Sequence, residues 1–239
     1  MAMDWMGKAK AAVKSADPLP ARSGPSFGSS SAPVANPSSN VRVSNGLKEF
    51  LWLISDKKNG RILDLGPAFQ NTIMFFIEKG FKLSTEDMLR SWKEFITEEE
   101  ETFRKSSVGA ESVRVSRASL AEKFLKTSVI YPESSFDGIL AWDLFDYLDA
   151  ELLSRVMDRL YSLLAPGGSV LSIFHSKTPD RYTRYKVVDG QTIELVPAPT
   201  VAVHARIFQN REILDIFGKF RSSKTFVGRD QVREGLFLK

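Results

Sequence analysis

The side chains best suited to chemistry in this sequence stand just beyond its short apolar runs. Asp64 and Gly66 end the run RILDLG, and Glu86 and Asp87 end the next one, with Asp87 lying 21 residues past Gly66. Asp143 and Asp146 follow FDGILAW, interleaved with Phe145 and Tyr147, and His175 follows SVLSIF. A carboxylate fixed at a strand end can accept hydrogen bonds from two vicinal hydroxyls, align a nucleophile or take its proton. Asp143 suits either of the last two roles. Asp143 and Asp146 can instead cap a loop, and Asp87 can cap a helix. His175 is a candidate base or a hydrogen-bonded loop histidine. His204 has no assignable place, and no single residue is marked as catalytic.

These side chains need a scaffold, and its clearest part is Phe136–Ser176. Gly138–Trp142 is a short apolar run, as in a strand buried on both faces of a parallel sheet. Asp149 is placed to cap the helix that follows. Leu152, Leu153, Val156, Met157, Leu160, Leu163 and Leu164 recur at helical spacing and form one apolar face. Pro166 ends that helix, Gly167 and Gly168 turn the chain, and Ser169–Phe174 forms the next buried strand. The whole is one βαβ unit.

The ordered combination FDGILAWD, amphipathic helix, LAPGG and strand resembles the second half of class I S-adenosylmethionine (SAM)-dependent methyltransferases, of the small bacterial type. That resemblance spans residues 45–239 and implies SAM as cofactor and a small-molecule methyl acceptor. It places the cofactor over the carboxyl ends of the first strands, where strand order reverses. Asp64 and Gly66 match the acid and first glycine of the family's D-x-G-x-G-x-G loop. Ala68 replaces the second glycine and Gln70 the third, while Pro67 removes a backbone donor. Asp87, or Glu86 if the register slips, sits where a ribose-reading acid is expected. Trp142 and Asp143 lie over the methyl-transfer position. The acid that reads the adenine edge is missing, its register being held by Lys126, Thr127 or Ser128, so a hydroxyl there, backbone amides, or apolar walls such as Val129 or Tyr131 are the alternatives for that role. The degraded loop and this missing acid are also what a catalytically inactive methyltransferase-like binding domain would show. A nicotinamide oxidoreductase shares the plan but would need the full G-x-G-x-x-G loop.

The remaining elements follow from periodicity. Leu47–Ile54 reads as a lead-in helix, Arg61–Gly66 as the first strand, Asn71–Lys79 as a helix and Phe81–Asp87 as the second strand. Helical stretches follow at Leu89–Lys105 and Ser116–Leu125. The family's next strand has only weak candidates, Val113–Val115 and Phe124–Tyr131, so it is short or lost. Thr178–Thr200 is an insertion carrying Arg181, Tyr182, Arg184 and Tyr185, placed to cover substrate and suited to an anion. Glu212–Phe220 reads as a helix, with Lys224–Arg229 and Val232–Lys239 as a closing hairpin. The expected fold is α/β: a Rossmann-like three-layer sandwich, mostly parallel, with a C-terminal antiparallel hairpin.

Composition narrows the function classes. There is no cysteine, which excludes thiol catalysis, disulfides and thiolate metal sites, and two histidines do not suggest a metal centre. Residues 1–44 carry five basic and two acidic side chains, net +3 of a total of +4, leaving a near-neutral domain without the footprint of a nucleic-acid binder. More than half of residues 15–40 are Ser, Pro or Gly, so 1–44 reads as a disordered tail. No apolar run is long enough to span a bilayer and no secretory signal is visible, so a cytoplasmic protein is expected.

Overall fold

The computed structural model describes residues 40–106, 116–228 and 230–239. The elements run β1 (Val41–Val43), α1 (Asn45–Leu53), β2 (Arg61–Asp64), α2 (Gln70–Glu78), β3 (Lys82–Thr85), α3 (Met88–Ser106), α4 (Arg117–Ser128) and β4 (Phe136–Trp142). A 3-10 turn (Leu144–Tyr147) then leads to α5 (Ala150–Leu163), β5 (Leu164–His175), β6 (Thr183–Val187), β7 (Thr192–Pro197), α6 (Asn210–Ile216), β8 (Ser222–Val227) and β9 (Val232–Leu238).

Six strands form the main sheet in the order β3-β2-β4-β5-β9-β8. The first four are parallel, and β9 runs antiparallel between β5 and β8. Strand order reverses between β2 and β4, because the chain leaves β2 toward β3 and returns through α3 and α4 to the other side of β2. The crevice beyond the carboxyl ends of β2 and β4 is therefore the place where this topology opens a site. Among the described residues no strand lies outside β3. The candidate Val113–Val115 falls outside the described residues, and Phe124–Tyr131 is helix end and loop.

Strand alternation sorts the core into two layers. Leu63, Ile139, Ala141, Val170 and Phe174 face α3 to α6, joined by Phe124, Val156, Leu160 and Phe217. Ile62, Leu140, Trp142, Leu171 and Ile173 face the opposite way, toward Leu47 and Phe50 of α1 and Phe76 of α2. Gly138 makes this second layer close-packed, since a Cβ there would lie 2.5 Å from Phe50 Cζ. Helix ends follow local chemistry: Ser44, Ser116 and Asp149 each accept from a backbone N–H in the first turn of α1, α4 and α5. The helix before Pro166 ends earlier than its position suggests. Leu163 is the last helical residue, Leu164 pairs with Phe136, and the Pro-Gly-Gly segment is already part of β5. The residue before a proline is held extended, and strand pairing takes over there.

Two further features differ from expectation. Val41–Val43 forms β1, and Ser44 caps α1, so ordered structure includes residues assigned to the tail; the rest of the tail, residues 1–39, lies outside the described residues. The insertion at 178–200 holds a hairpin, and β1-β7-β6 form a second, three-stranded sheet. Its signal was present in the alternation of Tyr185 and Val187, the Asp189-Gly190 turn, and then Ile193 and Leu195. Among the described residues no helix is long and apolar enough to cross a membrane.

Candidate functional site

Every carboxylate singled out in the sequence, apart from Asp149, stands at the reversal point or just beside it, but each is already engaged by the protein. Asp64, at the end of β2, is 1% exposed. Its Oδ1 accepts from Gly66 N at 2.9 Å and from Trp142 Nε1 at 2.6 Å. Burial pushes its carboxyl up to about 7, against the pull of those two hydrogen bonds. Glu86 accepts from the Tyr131 hydroxyl at 2.7 Å. Asp87 receives the Arg184 guanidinium at 2.8 and 3.0 Å, and its Oδ1 also faces Arg90 N at 3.4 Å at the start of α3. Asp87 therefore opens the helix and at the same time holds the insertion.

Trp142 decides the shape of the crevice. It ends β4 with φ of 48°, a left-handed backbone rare for a bulky side chain. That turn aims the indole back over the first loop. A Cβ on Gly66 would lie 3.0 Å from indole Cδ1 and Nε1. The glycine that the family pattern assigns to cofactor approach here admits a side chain of the same protein. Tyr185 of β6 stacks on the indole, with centroids 5.5 Å apart and planes 7° apart. Between Gly66, Leu89, Asp143, Arg184 and these rings a cavity of about 10 Å³ remains. Ala68 is exposed and lies outside this contact.

A SAM molecule placed as the resemblance implies does not fit these residues. The ground for its methionine end is occupied by Trp142 and Tyr185, and its ribose acid is paired with Arg184. The insertion is not a loosely laid cover: Tyr185, Val187 and Ile193 are buried in the same core layer as Phe50 and Phe76, and Val187 N donates to Thr72 Oγ1 at 3.0 Å. Uncovering three such side chains costs about 1.5–3 kcal/mol each. An open cleft of about 700 Å³ lies beside the filled position. Pro67, Phe69 and the segment Val196–Pro199 give it apolar walls, and its charged side is mixed, with Arg90 paired to Glu94, Arg184 paired to Asp87, and Lys93 and Glu98 beside them.

A second group of side chains lies at the ends of β4 and β5. Asp146, fully buried, accepts from His175 N at 2.8 Å and lies 2.9 Å from His175 Nδ1. The Tyr185 hydroxyl donates to Asp143 Oδ2 at 3.2 Å and faces His175 Nε2 at 3.5 Å. Asp143 makes no side-chain cap to the 3-10 turn, unlike Asp149 at α5. Burial pushes the Asp143 carboxyl up to about 6, moderated by the His175 charge. Burial pulls the His175 imidazole down, but Asp146 and Asp143 outweigh it and the net shift is upward. His204 joins them from the segment after β7, its Nε2 lying 3.6 Å from Asp146 Oδ2. Burial draws its imidazole below the usual histidine range. No spacing signal marks His204, because 58 residues and a whole added sheet separate it from Asp146.

Comparison with known proteins gives fold-level likeness. No family model matches the chain, and no curated protein does. Solved structures do. A SAM-dependent methyltransferase from Archaeoglobus fulgidus is 14% identical over 81% of this chain and 93% of its own, at a TM-score of 0.44. The 1,6-didemethyltoxoflavin-N1-methyltransferase of Burkholderia thailandensis, solved with that compound and S-adenosylhomocysteine, is 13% identical over 81% and 76% at 0.42. An Aquifex aeolicus SAM-dependent methyltransferase is 12% identical over 82% and 90% at 0.41.

These structural neighbours are class I SAM-dependent methyltransferases. The chain's own strand order is that of an α/β, Rossmann-like fold, with a mostly parallel sheet ending in antiparallel strands. At such identities the likeness says nothing of the site, whose chemistry rests on its own residues.

Proposed function

We propose that this chain is a methyltransferase-like binding domain that does not transfer a methyl group from SAM at the fold's usual position. The observation that carries this reading is the Trp142 indole, fixed by Asp64 and stacked by Tyr185 in the cradle beside Gly66. The cleft next to it is then the ligand site. Its volume, about 700 Å³, lies in the range of small-molecule pockets, and it combines apolar walls with a few charged groups. A small molecule with an apolar body and a few polar groups suits Phe69 and the prolines on one side and the paired charges of Arg90, Glu94, Arg184 and Asp87 on the other.

A second reading, a SAM-dependent methyltransferase with a small-molecule acceptor, has one observation in its favour. Asp87 stands at the end of β3 and lines the cleft, where a ribose would meet it. It requires Arg184 to release Asp87 and both aromatic rings to leave the cradle. Titration calorimetry with SAM and with S-adenosylhomocysteine separates the two. The binding-domain reading expects no heat and no thermal shift at millimolar ligand. Micromolar binding that weakens strongly in Asp87→Ala would establish the second reading instead.

A further inference from the structure

We propose that Asp146, His175 and His204 form a site for one divalent first-row transition-metal ion of the zinc or ferrous class. One carboxylate oxygen and one nitrogen from each imidazole lie within 4.8 Å of one another. Two separations to Asp146 Oδ2 are 2.9 Å from His175 Nδ1 and 3.6 Å from His204 Nε2. Ligands about 2.0–2.1 Å from a shared zinc ion stand on the order of 3–3.5 Å apart, so modest movements bring the set onto one ion.

Two independent observations point to an occupant. Asp146 is fully buried, yet its Oδ1 has no hydrogen-bond partner; His204 Nε2, on a side chain 7% exposed, reaches only Asp146 Oδ2 at 3.6 Å, beyond hydrogen-bond distance. Buried polar atoms without partners are exceptions in folded proteins, and here two of them belong to one cluster. The scaffold also holds the groups in place. Ala205 N donates to the Asp146 carbonyl at 2.8 Å, tying the His204 segment to the turn after β4. The His204 ring packs edge-on against His175 and Tyr147.

Charge argues the same way. Asp143 Oδ2 lies 4.0 Å from His175 Nδ1, so two buried carboxylates face two imidazoles, and among the described residues no lysine or arginine pairs with either acid. A divalent cation balances both carboxylates with neutral imidazoles. The donor set of two imidazoles and one carboxylate suits zinc or ferrous iron rather than magnesium or calcium, which prefer oxygen. Three protein ligands leave positions open for water or a ligand oxygen, with Asp143 beside them as a hydrogen-bond acceptor. Counting histidines does not show this cluster, because only the fold brings both of them to one carboxylate.

The test uses the full chain without a histidine tag, stripped with chelator and titrated with Zn²⁺. Because the chain has only two histidines, ¹⁵N NMR of the imidazoles reports on both ligands directly. One equivalent should bind with micromolar or tighter affinity, move both imidazole signals in the same step and raise the melting temperature. His204→Ala should weaken binding by at least about 100-fold. An adventitious surface site would leave the imidazoles unmoved, and that result overturns the proposal, as does unchanged affinity in His204→Ala. If that variant does not fold, the wild-type imidazole spectra decide alone. No nucleoside enters the experiment, so its outcome is separate from that of the SAM titration.

Discussion

The Trp142 indole N–H donates to Asp64 Oδ1 at 2.6 Å, joining residues 78 positions apart across the ends of two neighbouring strands. This bond explains why three unusual local features occur together. Trp142 has a positive φ so that the ring can reach back, Gly66 lacks a side chain so that the ring can enter, and Asp64 is buried beneath it. Each is costly alone. Together they seal the crevice that the sheet topology opens.

The seal can be tested by removing the ring. Trp142→Gly should lose about 3–5 kcal/mol of stability as a large side chain leaves the core, while glycine accepts the backbone conformation without strain. The vacated space has the shape of the lost side chain, so indole should bind the variant and raise its melting temperature. At 100 times its Kd the recovery is about 2.7 kcal/mol. Wild-type protein should show no shift with indole. Absence of rescue would mean that the crevice collapses or that the ring does not fill it.

Asp64 predicts a pH dependence of stability. Its folded-state carboxyl is raised to about 7, above the unfolded value near 3.9, so the protonated form stabilises the fold below about pH 4. That contribution is lost as pH rises through 7. Asp64→Asn keeps an acceptor for Trp142 and Gly66 but cannot ionise. The variant should match wild type near pH 4 and exceed it at pH 8, by at most about 4 kcal/mol. Denaturant unfolding at the two pH values measures the difference. A variant less stable at pH 8 than at pH 4, relative to wild type, would reverse the sign and refute the assignment.

Much of the architecture was legible because it rests on periodicity. The leucines of α5, the apolar runs of β2, β4 and β5, and the closing hairpin all form the elements their patterns indicate, with the α5–β5 boundary moved forward to Leu164. The hairpin of 183–197 also had a readable pattern, in the alternation that flanks Asp189-Gly190. The site was less legible. Asp64, Gly66, Asp87 and Asp143 do gather at the reversal point, yet spacing along a chain cannot show what fills the volume between them. Whether Gly66 admits a ligand or an indole depends on the φ of Trp142, and whether Asp87 is free depends on Arg184, 97 residues later. His204 reaches Asp146 only through the added sheet.

The Arg184–Asp87 pair should hold the insertion against the domain. Both side chains are mostly buried, so the pair sits between an exposed salt bridge and a fully buried one, and a coupling of about 1–2 kcal/mol is expected. A double-mutant cycle with Arg184→Ala and Asp87→Ala measures it. A coupling near zero would show that stacking of Tyr185 on Trp142 secures the insertion alone. In that case Asp87 would be available to a ligand at little cost.

The last expectation concerns where the folded domain starts. Arg42 of β1 lies 2.9 Å from Glu234 of β9, with side chains 8% and 2% exposed, and Glu234 Oε2 accepts from Gly46 N at 2.6 Å. The strand therefore does more than extend an edge. It brings a cation to a carboxylate buried beneath the start of α1. Removing one member of such a pair leaves an uncompensated charge and costs about 3–5 kcal/mol. A chain that begins at Asn40 keeps β1, the Arg42 pair and the Ser44 cap. One that begins at Asn45 loses all three, the cap adding about 0.5–2 kcal/mol to the deficit. Arg42→Ala in the full-length chain should reproduce most of the loss. Arg42→Ala combined with Glu234→Gln should recover part of it, because the amide can still accept from Gly46 and carries no charge. If the chain beginning at Asn45 unfolds at the same denaturant midpoint as the one beginning at Asn40, then β1 contributes nothing to the domain and the boundary belongs at residue 45.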